Sequence, residues 1–78
     1  MKLTVLNLPR DFTEQELAEL FKAYGNIKDC SLVMDTNTGK SKGFGFVEMA
    51  LAHEGEIVLK ELHGSKVGKN KIRVKIAK

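Results

Sequence analysis

The stretch Lys42-Gly43-Phe44-Gly45-Phe46-Val47-Glu48-Met49 alternates with a period of two from Phe44 onward, the mark of a strand with two unlike faces. Gly45, Val47 and Met49 fall on one face and suit a core, while Phe44, Phe46 and Glu48 fall on the other. A strand that buries one face needs neighbours and a covering layer, and both are legible on either side of it.

Upstream, the polar run 35–42 (DTNTGKSK) is a loop with Gly39 at its turn. Before it, Ile27–Met34 reads as a strand with Ile27, Cys30 and Leu32 inward. The interval from Ile27 to Cys30 breaks strict alternation and requires a local irregularity. A helix precedes this strand. Thr13 is its N-cap, Glu16 the capping-box partner, and Phe12 with Leu17 the hydrophobic staple. Leu17, Leu20, Phe21 and Tyr24 recur at helical spacing, and Gly25 is the expected C-cap. Glu14, Glu16 and Glu19 lie toward the positive end of the helix dipole. Residues 2–8 (KLTVLNL) read as a strand closed by Pro9, with Leu3 and Val5 on one face and Thr4 and Leu6 on the other.

Downstream, residues 50–62 form a second helix with Gly55, Val58, Leu59 and Leu62 as its inward stripe. Its interior glycine costs about 1 kcal/mol relative to alanine and points to a close contact there. Ile57 lies off the stripe and is expected to be exposed. His63-Gly64 ends the helix, Val67 adds a short extended piece, and 68–70 is a turn. Residues 71–77 alternate again, with Ile72, Val74 and Ile76 inward and Arg73 and Lys75 outward. The order strand, helix, two strands, helix, strand is a repeated split β-α-β unit. It predicts an α+β, ferredoxin-like sandwich: a four-stranded antiparallel sheet with two helices on one face.

The 78 residues make one small domain, 1–78, too short for a doubly wound nucleotide-binding fold. No apolar run is long enough to span a bilayer, and no membrane partner is expected. The opening MKLTVLNLPRDF is too short in apolar residues for a secretory signal, so a cytoplasmic location is expected. One cysteine excludes an internal disulfide framework. The net charge of +3 conceals an asymmetry. Residues 1–59 carry six basic and nine acidic groups, whereas residues 60–78 carry seven basic and one acidic. Local field steers a charged partner, so the basic final quarter matters more than the total.

Two helices on one face leave the other face of the sheet open, and there Phe44 and Phe46 project side by side. They are two of only five aromatic residues. Exposed flat rings on a rigid sheet are stacking platforms for unpaired bases, each worth about 1–3 kcal/mol. Lys42, Arg73, Lys75 and Lys2 surround them with charge that suits phosphate.

On these residues the chain resembles the RNA-recognition motif family. Residues 42–49 resemble its ribonucleoprotein octapeptide, with Met49 where an aromatic is usual, and Leu3-Thr4-Val5-Leu6-Asn7-Leu8 resembles its companion hexapeptide. The resemblance runs over residues 2–77 and, in the ending of the octapeptide, is similar to small stand-alone bacterial and cyanobacterial members. It implies that Phe46 stacks on a base, Phe44 inserts between riboses and Lys42 binds phosphate. It also implies that Lys78 meets the ligand at the sheet edge. The position of the family's other stacking aromatic is Thr4, which offers no ring. Asn7 has two readings, a hydrogen bond to a base or an anchor for the first turn.

The implied partner is single-stranded RNA, with single-stranded DNA able to use the same platforms unless 2′-hydroxyl contacts discriminate. RNA chaperoning and post-transcriptional regulation are both compatible roles. A protein-interaction module on the same fold, docking a partner through its helix faces, is the alternative that Thr4 motivates. The expected state is a monomer. No catalytic constellation, cofactor or metal site is read. Gly39-Lys40-Ser41 lacks the upstream glycine of a phosphate loop, since Met34 stands there. Gly39 comes one position too early for a calcium loop. His53-Glu54 lacks the second histidine of a zinc helix, that position being Ile57. Cys30 on an apolar strand reads as a small buried hydrophobe.

Overall fold

The computed structural model describes residues 1–77. Eight elements follow one another: β1 Lys2–Leu6, α1 Glu14–Lys22, β2 Ile27–Met34, β3 Ser41–Met49, α2 Ala52–Leu62, β4 Lys66–Val67, β5 Asn70–Lys71 and β6 Arg73–Ile76. The main sheet has the order β2-β3-β1-β6, and its three pairings are all antiparallel. The two central strands are therefore the first and third, each paired on both sides. β4 and β5 form a separate small hairpin, a pairing richer than the single extended piece expected at Val67.

Helix α1 packs against β2, and α2 packs against β6 and β3. Between helices and sheet lie Leu3, Val5, Leu17, Phe21, Leu32, Val47, Met49, Val58, Leu62, Ile72 and Val74, all buried. The inward positions read from alternation on β1 and β3 are thus the core positions. The expected irregularity in β2 is a register shift between Ile27 and Asp29. It lets Ile27 and Cys30 pack against the core together.

Helix α1 starts as its sequence dictates. Thr13 accepts from the Glu16 N–H at 3.1 Å, and the Glu16 carboxylate accepts from the Thr13 N–H at 3.1 Å. It ends differently. The C-cap is Ala23, right-handed at φ −62°, and not Gly25. The small size of Gly25 serves packing instead, because a Cβ there would run into the Glu54 side chain from α2. Likewise a Cβ on Gly55 would collide with the Met1 side chain, the close contact that its place in a helix implied.

Ile76 is a second departure from expectation. It keeps the inward parity of β6 yet is 58% exposed. It sits on the edge strand opposite Leu3, near the end of the sheet. Alternation assigns a face to a residue, but only a covering element buries it. The free side of β6 is covered further back. Gly64 N–H donates to Ile72 O at 2.8 Å, Ile72 N–H donates to Ser65 O at 2.9 Å, and His63 Nδ1 lies 3.1 Å from Val74 N. These contacts close part of an otherwise unpaired strand edge.

Gly45 sets how close α1 comes to the sheet. A Cβ added there would stand 2.6 Å from the Ser31 carbonyl oxygen and 3.1 Å from Leu17 Cδ2. Gly45→Ala is expected to cost about 1–3 kcal/mol through overpacking, seen as a lower urea midpoint with an unchanged m-value. A variant as stable as the parent would contradict this tight approach.

Candidate nucleic-acid interface

The sheet face turned away from the helices is organised in rows by strand register. In one row Ser31 on β2, Phe46 on β3, Thr4 on β1 and Lys75 on β6 stand side by side. In the next, Phe44, Leu6 and Arg73 follow across β3, β1 and β6. A third row brings Asp29, Glu48 and Lys2 together. The two phenylalanines thus lie near the middle of the face, on a strand paired on both sides.

Phe44 and Phe46 are half-buried, with ring centroids 6.3 Å apart and planes at 89°, an edge-to-face arrangement that rings adopt when in mutual contact. Lys2 Nζ lies 5.6 Å from the Phe46 ring centroid, within the reach of a cation–π contact. Thr4 occupies the position beside Phe46 where a third ring would complete the platform. Leu6, beside Phe44, adds apolar surface. Neither Leu6 nor Ser31 stands out from composition alone. Leu6 was readable from alternation, and Ser31 needed the position of the β2 register shift.

Charge divides along the face. Lys28 Nζ lies 3.7 Å from Glu48 Oε2, the single ion pair among the described residues. Together with Lys2 and Asp29 it leaves that end locally balanced. Lys42, Arg73 and Lys75 are exposed and have no carboxylate partner among the described residues. The positive field therefore belongs to the Phe44 and β6 side.

Asn7 makes the contacts that the anchoring reading calls for. It is left-handed at φ 63°, a conformation asparagine tolerates better than most residues. Its side-chain N–H donates to Lys71 O at 2.8 Å, and its own carbonyl accepts from the Asn70 side chain at 3.2 Å. The exit of β1 is thereby tied to β5. Lys78 lies outside the described residues.

Cys30 packs against the core, its thiol 3.8 Å from Glu14 O. Burial first, then the Glu14 and Asp29 carboxylates, pushes the thiol pKa up from 9.0 to about 11. Nucleophilic cysteines are tuned in the opposite direction. Because folding favours the neutral thiol, the stabilisation it lends is full below 9.0 and is lost as pH rises through about 11. Alkylation by iodoacetamide at pH 8 is expected to be about tenfold or more slower than for an unfolded peptide thiol. Equal rates would contradict this environment.

The model of the RNA recognition motif family matches residues 3–73. Cleavage and termination factor 1 of Schizosaccharomyces pombe is 38% identical over 68 residues, which is 87% of this chain and 19% of that protein. RNA-binding protein CP31B, chloroplastic, of Arabidopsis thaliana is 36% identical over 76 residues, 97% of this chain and 26% of that protein. The solved Sxl-lethal protein/RNA complex superposes with a TM-score of 0.92 at 35% identity, covering 99% of this chain and 46% of that one. The chain thus spans about a fifth to a quarter of the two sequence relatives. Both are eukaryotic, so the expected likeness to small stand-alone bacterial members gains no support from them. On the match over residues 3–73 and the shared fold, the chain belongs to the RNA recognition motif family.

Proposed function

We propose that this domain binds single-stranded RNA on its open sheet face, as a monomer and without performing chemistry on it. One observation carries the reading: Phe44 and Phe46 stand side by side and accessible on the central strand β3, flanked across the register by Arg73 and Lys75. A soluble domain loses stability by exposing paired rings unless a ligand uses them. A nucleotide strand is the ligand that fits both features, since each of its units presents the flat π-face of a base and carries a backbone phosphate. The strand must be single, because a duplex hides its base faces in the stack. The neighbour solved as a protein/RNA complex supports the same conclusion.

In this arrangement Phe46 stacks on a base, Phe44 meets the neighbouring sugar or base, and Lys42, Arg73 and Lys75 hold phosphates. Lys2 also faces the strand, though Glu48 beside it offsets its charge. Thr4 supplies a hydroxyl in place of a ring. The platform is therefore short by one stacking plane, which lowers affinity by about one to two decades relative to a full one. Asn7 acts indirectly, by fixing the turn that follows β1.

Affinity for an eight-nucleotide RNA of mixed sequence, read by fluorescence anisotropy, tests these roles. Phe46→Ala is expected to weaken binding by about ten- to a hundredfold while leaving the fold intact. Thr4→Phe is expected to tighten it by about fivefold or more, by restoring a ring beside Phe46. The double variant Arg73→Gln/Lys75→Gln should reduce the slope of log affinity against log salt by about 1.4. A folded Phe46→Ala protein that binds RNA as the parent does would remove the stacking mechanism.

A further inference from the structure

At the Phe44 end of the sheet, where β1 gives way to its loop and β3 begins, a pocket of about 580 Å³ opens. Leu6 and Phe44 line it with apolar surface, Asn70 with an amide, and Arg10, Lys42 and Arg73 with positive charge. None of its lining residues is acidic. Its volume falls within the range of about 300–1,000 Å³ typical of pockets that hold small organic groups.

Arg10 is the residue that neither alternation nor charge clustering brought forward. It belongs to no regular element, and its basic partners in the pocket lie more than thirty residues away in sequence. The fold brings it there by a series of backbone ties. Leu8 N–H donates to Gly43 O at 2.8 Å, Ser41 N–H donates to Arg10 O at 3.2 Å, and Phe12 N–H donates to Pro9 O at 3.1 Å. Gly43 is left-handed at φ 90°, and a Cβ there would meet Leu8 O at 3.3 Å. The loop after β1 thus rests directly on the start of β3. Its guanidinium is exposed on a backbone already fixed, so a ligand need not order the loop in order to bind.

We propose that this pocket takes one further nucleotide of the bound strand, with its phosphodiester among Arg10, Lys42 and Arg73 and its sugar or base against Leu6 and Phe44. The inference rests on the RNA reading of the sheet face. Phe44 and Arg73 belong to both surfaces, so a strand lying across the second row of the sheet runs into the pocket without a gap. Cationic, apolar and amide groups in one recess match a nucleotide, which joins an anionic phosphodiester to a sugar and to a base with apolar faces and polar edges. Arginine suits the phosphate because its planar fork can donate two parallel hydrogen bonds. Arg10 is then a phosphate-binding residue outside the sheet, and the interface extends past the two ring-bearing positions into the loop.

Arg10→Gln and Arg10→Lys test this with the eight-nucleotide RNA, by anisotropy across a salt series and by amide shift mapping. Among the described residues Arg10 is tied to the fold by a backbone hydrogen bond and its side chain makes no ion pair, so both variants should keep the amide spectrum of the free parent. Arg10→Gln is expected to weaken binding about three- to tenfold and to lower the salt slope by about 0.7. Arg10→Lys should restore the slope. With Arg10→Gln, RNA-induced shifts at Leu8, Gly43 and Asn70 should shrink while those at Phe46 and Lys75 persist. If Arg10→Gln binds with the parent's affinity and slope while Phe46→Ala still weakens binding, the pocket assignment is overturned and the sheet-face reading stands. If the parent itself shows no RNA-dependent shifts, both fail together.

Discussion

The contact between α1 and the sheet at Gly45 orders the open face from behind. Leu17 comes down where a side chain on β3 is absent, and Val47 and Met49, the next two positions along the same face of β3, are buried. Because β3 alternates, committing Gly45, Val47 and Met49 to the core commits Phe44 and Phe46 to the other side. The two helices cover one face of the sheet, and the described residues place no further element on the opposite one. Which face positions 44 and 46 occupy is therefore a consequence of how the core is built, whereas their being aromatic is not. Their edge-to-face contact and the Lys2 ammonium above Phe46 recover part of the lost burial.

Strong local signals carried most of the fold. The capping box at Thr13 and Glu16 and the alternation of β1 and β3 are set by neighbours in sequence, and they appear as read. What was not legible depends on what lies opposite a residue. Ile76 has inward parity but nothing to cover it. Gly25 follows a helix as a cap would, yet its lack of a side chain makes room for Glu54. His63 is exposed at the end of α2, yet its Nδ1 meets the Val74 edge of β6, a contact that only the fold brings about. That the rings, Thr4, Arg73 and Lys75 share one surface was legible because period two places them on one face. Arg10 was not, since only the backbone ties of a loop to β3 bring it beside Lys42 and Arg73.

The basic residues of the final quarter do not share one surface, and Lys60 lies apart on α2. Arg73 and Lys75 lie on β6 and reach the open face, whereas Lys66 and Lys71 lie on the small hairpin. On the face itself, Glu48 and Asp29 offset Lys2 and Lys28, so attraction for a polyanion is concentrated toward β6 and the Phe44 end. Phosphate contacts of this kind set orientation and salt dependence, and the rings and base edges set what is held between them. On the proposed reading, with Thr4 in place of a ring, electrostatics carries a larger share of the binding than on a face with three aromatics.

The most direct test of this account is a titration of isotopically labelled protein with a randomised short RNA pool, followed by amide shifts at two salt concentrations. The account predicts shifts centred on Thr4, Phe44, Phe46, Arg73 and Lys75, weaker at the higher salt, with the outward faces of α1 and α2 still. A folded spectrum in which those five amides do not move, or in which the shifts fall on the helices instead, would contradict it.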